Sequence, residues 1–136
     1  MKNLLLATLI LFSTYAIGQS SSIEVPKIGI KVPLGKTLEA NGVSVKFLEV
    51  VEDSRCPKDV SCIWAGRAIV KAEVTSNGKT EEKILIFGEV KSRETPNTTL
   101  FNSKEFSLKG ITLNPYPDSV ISEDVNYVLL VSKESY

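Results

Sequence analysis

The chain of 136 residues contains no histidine. That removes the side chain that most often serves as a general base or metal ligand near neutral pH. Ser54, Ser61 and Ser103 therefore have no imidazole to activate them. Net charge is missing too: 16 lysines and arginines face 16 aspartates and glutamates. The chain thus lacks the electrostatic footprint of a nucleic-acid or anionic-membrane binder. Cysteine is scarce, with only Cys56 and Cys62. Two thiolates without a histidine cannot complete a four-ligand zinc site, so neither a metal nor another cofactor is expected. Asp53, Asp59, Asp118 and Asp124 fall in connections, but no D-x-[DN]-x-[DN]-G loop gathers them for calcium, and they read as solvated acids. Beyond residue 18, no run of ten residues carries the 3.6-residue apolar period of a helix.

What is present begins with an export signal. Met1-Lys2-Asn3 is a short positive segment, and Leu4 to Phe12 is apolar apart from Thr8. Ala16-Ile17-Gly18 then offers small residues at the positions a signal peptidase reads. Residues 1–18 read as a signal peptide cleaved before Gln19, and residues 19–136 as one secreted or periplasmic domain. The apolar stretch from Leu4 to Ile17 is shorter than the roughly 20 residues a bilayer span requires, so no membrane span is expected in the mature chain. An oxidising compartment and an even cysteine count favour a Cys56–Cys62 disulfide. The spacing C-x5-C is a poor match to the C-x-x-C of redox pairs. Such a ring would stabilise the fold by about 2.4 kcal/mol on the chain-entropy model. Its effect is then mainly to fix the shape of one connection.

The mature chain reads as short strands between turn signals. Lys27 to Val32 alternates, with Ile28, Ile30 and Val32 on one face. Asn41-Gly42 predicts a type I′ hairpin that pairs Ala40 with Val43 and Leu38 with Val45. From Val43 to Glu52 the apolar phase changes, which calls for a β-bulge near Phe47-Leu48 or for burial of both faces. Arg67 to Ser76 places Ala68, Val70, Ala72 and Val74 on one face. Asn77-Gly78 predicts a second hairpin, into Ile84-Leu85-Ile86-Phe87. A two-residue loop there sets Glu73 opposite Glu82, a repulsive pair that leaves the register open. Gly88 to Asn97 reads as a loop. Phe106 to Leu108 and Ile111 to Leu113 read as extended pieces, either two strands or one interrupted at Lys109-Gly110, and Tyr127 to Val131 as the last strand. Seven or eight short strands predict an all-β antiparallel sandwich or small barrel.

One connection stands apart. Glu52 to Ala68 reads E-D-S-R-C-P-K-D-V-S-C-I-W-A-G-R-A and holds both cysteines and the only tryptophan. The pattern DSRCP, a second cysteine and WAG resembles an uncharacterised family of small secreted bacterial proteins. Leu113-Asn114-Pro115-Tyr116-Pro117 and Tyr127 continue the likeness more weakly. The resemblance implies export and a β-domain, and implies no mechanism.

Two roles suit this segment. As a structural corner, Trp64 would pack over the disulfide, Gly66 would permit a tight turn, and Asp53 or Arg55 would tie down loop backbone. As a recognition surface, Asp53, Arg55, Lys58, Asp59, Trp64 and Arg67 would meet a protein or envelope partner, with Lys58 and Asp59 at the tip of a rigid ring. The sequence thus predicts a non-enzymatic, exported β-domain that acts as a binding or interaction module. A proteinase inhibitor presenting Lys58 is a second expectation. A hydrolase is a third, but the carboxylate pairs Glu52/Asp53, Glu81/Glu82 and Glu123/Asp124 are adjacent in sequence. Adjacent side chains on a strand point to opposite faces.

Overall fold

A computed structural model describes residues 28–120 and 124–136. The proposed signal peptide, its cleavage site and Glu123 lie outside the described residues. Eight strands form: β1 Ile28–Pro33, β2 Thr37–Ala40, β3 Val43–Asp53, β4 Arg67–Ser76, β5 Lys79–Gly88, β6 Thr99–Asn102, β7 Phe106–Asn114 and β8 Val128–Ser135. They build two four-stranded antiparallel sheets, ordered β1-β8-β7-β6 and β2-β3-β4-β5. The sheets do not close into a barrel, so the architecture is a β-sandwich. No described helix is long and apolar enough to cross a membrane.

Both Asn-Gly hairpins form, with positive φ at Asn41, Gly42, Asn77 and Gly78. That is the signature of type I′ turns, whose twist matches that of the strands they join. Leu38 pairs with Val45 and Ala40 with Val43, as the pattern predicts. The second hairpin settles the register left open above, because Glu73 does lie opposite Glu82. Two terms decide it. The two-residue type I′ turn at Asn77-Gly78 fixes this register, and a one-residue slip would break that turn and send Leu85, fully buried here, to the outer face. The like-charge pair sits on the outer face, on the ~0.2–1 kcal/mol scale of cross-strand pairs. Lys46 opposes Glu73 from the other neighbouring strand and offsets the repulsion further.

β3 is bulged twice, between Phe47 and Glu49 and between Val50 and Glu52. The first bulge is the one predicted. It brings Val50 back to the inner face opposite Val70, so Val50 packs against the core with Phe47 rather than away from it. The second, at Val51, is absent from the sequence reading. One extra residue reverses the side-chain alternation. Glu52 therefore turns outward opposite Ile69, and Asp53 turns inward opposite Ala68.

β7 is one strand through Gly110, with a bulge against β8 between Gly110 and Thr112. β6 was not anticipated: four residues show too little alternation, although Leu100 is fully buried. The core draws on both sheets, with Phe47, Val70 and Leu85 from one and Leu100, Leu108, Leu113 and Leu129 from the other.

The sandwich has unlike ends. One carries short links at 41–42, 77–78 and 103–105. The other carries 34–36 and the long connections 54–66, 89–98 and 115–127. All the singular features of the sequence gather at that second end.

Gly110 faces the opposite sheet at close range. An added Cβ would lie 2.8 Å from Phe87 Cζ and 2.9 Å from Leu85 Cδ1. Gly110→Ala should therefore destabilise the fold by about 1–3 kcal/mol through overpacking. Urea denaturation checks this; a midpoint equal to that of the parent would contradict the packing described.

Candidate functional site, the loop end of the sandwich

Asp53, turned inward by the second bulge, meets a buried guanidinium. Arg55 Nε donates to Asp53 Oδ1 at 2.7 Å and Nη2 donates to Oδ2 at 2.7 Å, a two-point fork. Nη1 donates to the Leu113 carbonyl at 2.6 Å and Nη2 to the Pro115 carbonyl at 3.0 Å. The Arg55 residue is 8% exposed, and its guanidinium lies 4.8 Å from the centre of the Tyr116 ring. Tyr127 Oη donates to Asp53 Oδ2 at 3.2 Å, and burial followed by the Asp53 charge raises the Tyr127 phenol. This cluster joins connection 54–66 to connection 115–127 across the two sheets.

Glu52, turned outward, forms a second fork. Arg67 Nε and Nη2 donate to its two oxygens at 3.0 and 2.9 Å. Arg67 Nη1 donates to Glu94 Oε2 at 2.5 Å, and Lys91 N–H donates to the same Glu94 oxygen at 2.9 Å. Ser54 Oγ donates to Glu52 at 2.8 Å. The Arg67 and Ser54 bonds hold the Glu52 carboxyl down to about 2, from 4.5. The Lys91 N–H and then Arg67 lower Glu94. The second fork thus ties connection 89–98 to the same corner.

Gly66 lets these loops close. Its φ is +69°, and a Cβ there would stand 2.1 Å from the Ser54 carbonyl oxygen. Cys56 and Cys62 are joined, with their Cα atoms 5.9 Å apart. Inside the ring, Val60 N–H donates to the Pro57 carbonyl and closes a turn. Lys58 N–H donates to the Pro117 carbonyl at 3.1 Å. Asp59 accepts the Ser119 N–H at 2.9 Å and the Ser119 hydroxyl. The Ser119 hydroxyl is the main cause that lowers the Asp59 carboxyl.

The six residues expected on a recognition surface divide. Lys58, Asp59 and Trp64 are exposed. Asp53, Arg55 and Arg67 are spent inside the corner, with the Asp53 side chain 10% exposed and Arg67 6% exposed. These three are braces, because forked pairing to a carboxylate is what allows a guanidinium to leave water. Trp64 departs from its expected place over the disulfide: it is 58% exposed, and Ile63 before it is 98% exposed. Val60 and Val120 are exposed as well, beside the Asp59–Ser119 contact. Ile63 had a signal in the sequence, an apolar pair in a connection with no strand to bury it. Ser119 and Glu94 had none.

Among the described residues, the carboxylates and serines named above have these partners. Glu52 and Asp53 point to opposite faces, and each is held by a different arginine. Glu81 pairs with Lys83 at 2.6 Å. Ser54 donates to Glu52, and Ser103 Oγ donates to the Phe106 carbonyl within a turn. Among the described residues no three His, Cys, Asp or Glu side chains converge as metal ligands. Comparison with protein-family models, with curated proteins and with solved structures finds no match.

Removing one partner of the inner fork strands the other charge. Arg55→Ala should destabilise the domain by about 3–5 kcal/mol, read by urea denaturation. A loss within the ~0.5 kcal/mol typical of plain surface changes would contradict the bracing role. The outer fork predicts a pH signature. The folded Glu52 carboxyl lies below its ordinary value, so its stabilisation is present above about pH 4.5 and is lost as pH falls through about 2. Glu52→Gln should therefore lower stability at neutral pH and converge with the parent near the acid end of that window. Parallel denaturation curves at all pH values would refute this.

Proposed function

We propose that this chain is an exported, non-enzymatic β-domain whose loop end acts as a binding module. The observation that carries the reading is the Ile63-Trp64 pair. It stands in solvent on a connection pinned by a disulfide, a close-approach glycine and two arginine forks. An apolar pair that a fold could bury but instead holds out is a mark of an interaction site. A loop ordered in advance spares a partner the entropy of ordering it. Tryptophan is among the residues that most often anchor an interface. The resemblance to small secreted bacterial proteins supports export and fits an envelope or protein partner.

The inhibitor reading is less well served. Lys58 lies within the Pro57–Val60 turn and gives its N–H to Pro117, whereas entry into a proteinase specificity pocket calls for an extended, free segment.

The test is a double variant, Ile63→Ser with Trp64→Ser. Its stability should match that of the parent within about 0.5 kcal/mol, since both side chains are exposed. Immobilised parent protein should retain a defined component from a bacterial envelope extract that the double variant loses and Lys58→Gln keeps. Equal retention by all three proteins would refute the tip as the surface. Stoichiometric inhibition of trypsin, abolished by Lys58→Gln, would replace this reading with the inhibitor.

A further inference from the structure

Beside the inner fork, a cleft of about 600 Å3 opens between the turn after β7 and the chain entering β8. Its size falls in the range of small-molecule sites, about 300–1,000 Å3. Tyr116, Pro117 and Asp118 contribute from the turn, Asp124 and Tyr127 from the chain entering β8, and Asp53 from the end of β3. This surface is distinct from the Ile63-Trp64 tip, neither residue of which lines it.

Three features fix its chemistry. First, charge: three carboxylates line the cleft, and among the described residues that line it there is no lysine or arginine. With Arg55 counted against Asp53, the Asp118 carboxylate still brings negative charge to the lining, so an anionic ligand is disfavoured. Second, the aromatic rings are already positioned. Tyr116 rests against the Arg55 guanidinium and is 45% exposed, and Tyr127 is held through its hydroxyl by Asp53. Aromatic faces attract cations electrostatically, and a second cation can use the ring surface that Arg55 leaves open. Third, acceptor capacity remains at Asp118: its Oδ1 takes the Val120 N–H at 3.1 Å, and a carboxylate has further lone pairs to offer a donor.

We propose that this cleft binds an organic cation, an ammonium or guanidinium group carried on an apolar body. The group can belong to a free amine or to a lysine or arginine side chain of a peptide. The proposal goes beyond the binding reading of the tip and fails or survives separately from it.

The experiment is an NMR titration of the isotope-labelled protein with benzylammonium, benzyl alcohol and benzoate, which share a ring and differ in charge. Acetyl-Ala-Lys-Ala-amide and its glutamine counterpart form a second arm. Benzylammonium should shift the amides of Tyr116, Asp118 and Asp124 to Tyr127 saturably, while the alcohol binds more weakly and benzoate leaves them unmoved. Tyr116→Leu should weaken benzylammonium by a factor of about 2–5, the value of an exposed cation–π contact. Asp118→Asn should weaken it too and guards against a Tyr116 variant that folds poorly. Tighter binding of the lysine peptide than of benzylammonium assigns the cation to a peptide, and the reverse order assigns it to a free amine. The Ile63→Ser, Trp64→Ser variant should titrate like the parent. Equal binding of alcohol and ammonium, shifts elsewhere in the protein, or no shift with either cation would overturn the proposal.

Discussion

A guanidinium removed from water must find acceptors in its own plane, and the loop end of this sandwich is organised around that demand at Arg55. Four of its N–H directions are taken by one carboxylate and two main-chain carbonyls. Those acceptors belong to segments far apart in sequence, so the arginine can be satisfied only when both sheets are in place. The interaction is a weak source of net stability, since a well-packed apolar replacement could serve as well. Its value is in specification. Any arrangement of the connections that misplaces Leu113 or Pro115 leaves a buried charge short of partners.

That arrangement depends in turn on one extra residue. Without the bulge at Val51, the alternation of β3 would send Glu52 inward and Asp53 to the outer face. The inner fork would lose its acceptor and the outer fork would lose its own. Two adjacent acids that look redundant in the sequence thus serve two arginines on opposite faces of one sheet, and a backbone irregularity distributes them.

The legible parts of the molecule were those governed by local rules. Asn-Gly pairs carry their own backbone angles, and β4 displays its inner face in strict alternation, so both hairpins and their strands could be read directly. The first β3 bulge announced itself as a break of phase. The second did not, because Val50-Val51 fits either face. β6 was hidden by its brevity. The site was read less well for a related reason. Arg55 and Arg67 look like surface residues until their acceptors arrive from connections 89–98 and 115–127, and nothing local says that they will. For Trp64 the sequence leaves two places open, over the disulfide or on a recognition surface, and its 58% exposure fits the second.

The two ends of the sandwich differ in another respect, set by where the chain enters and leaves. Ile28 pairs with Lys133, and the side chain of Lys133 reaches Asn41 in the first hairpin turn. Both the entry into β1 and the exit from β8 therefore lie at the short-turn end. A support attached at either point would hold the molecule by that end and face connections 54–66, 89–98 and 115–127 outward. The length of the strands would then set the distance between that support and the three long connections. The two ends also differ in what holds them: the short turns are set by local backbone angles at Asn41-Gly42 and Asn77-Gly78, and the long connections by side-chain bonds between segments distant in sequence.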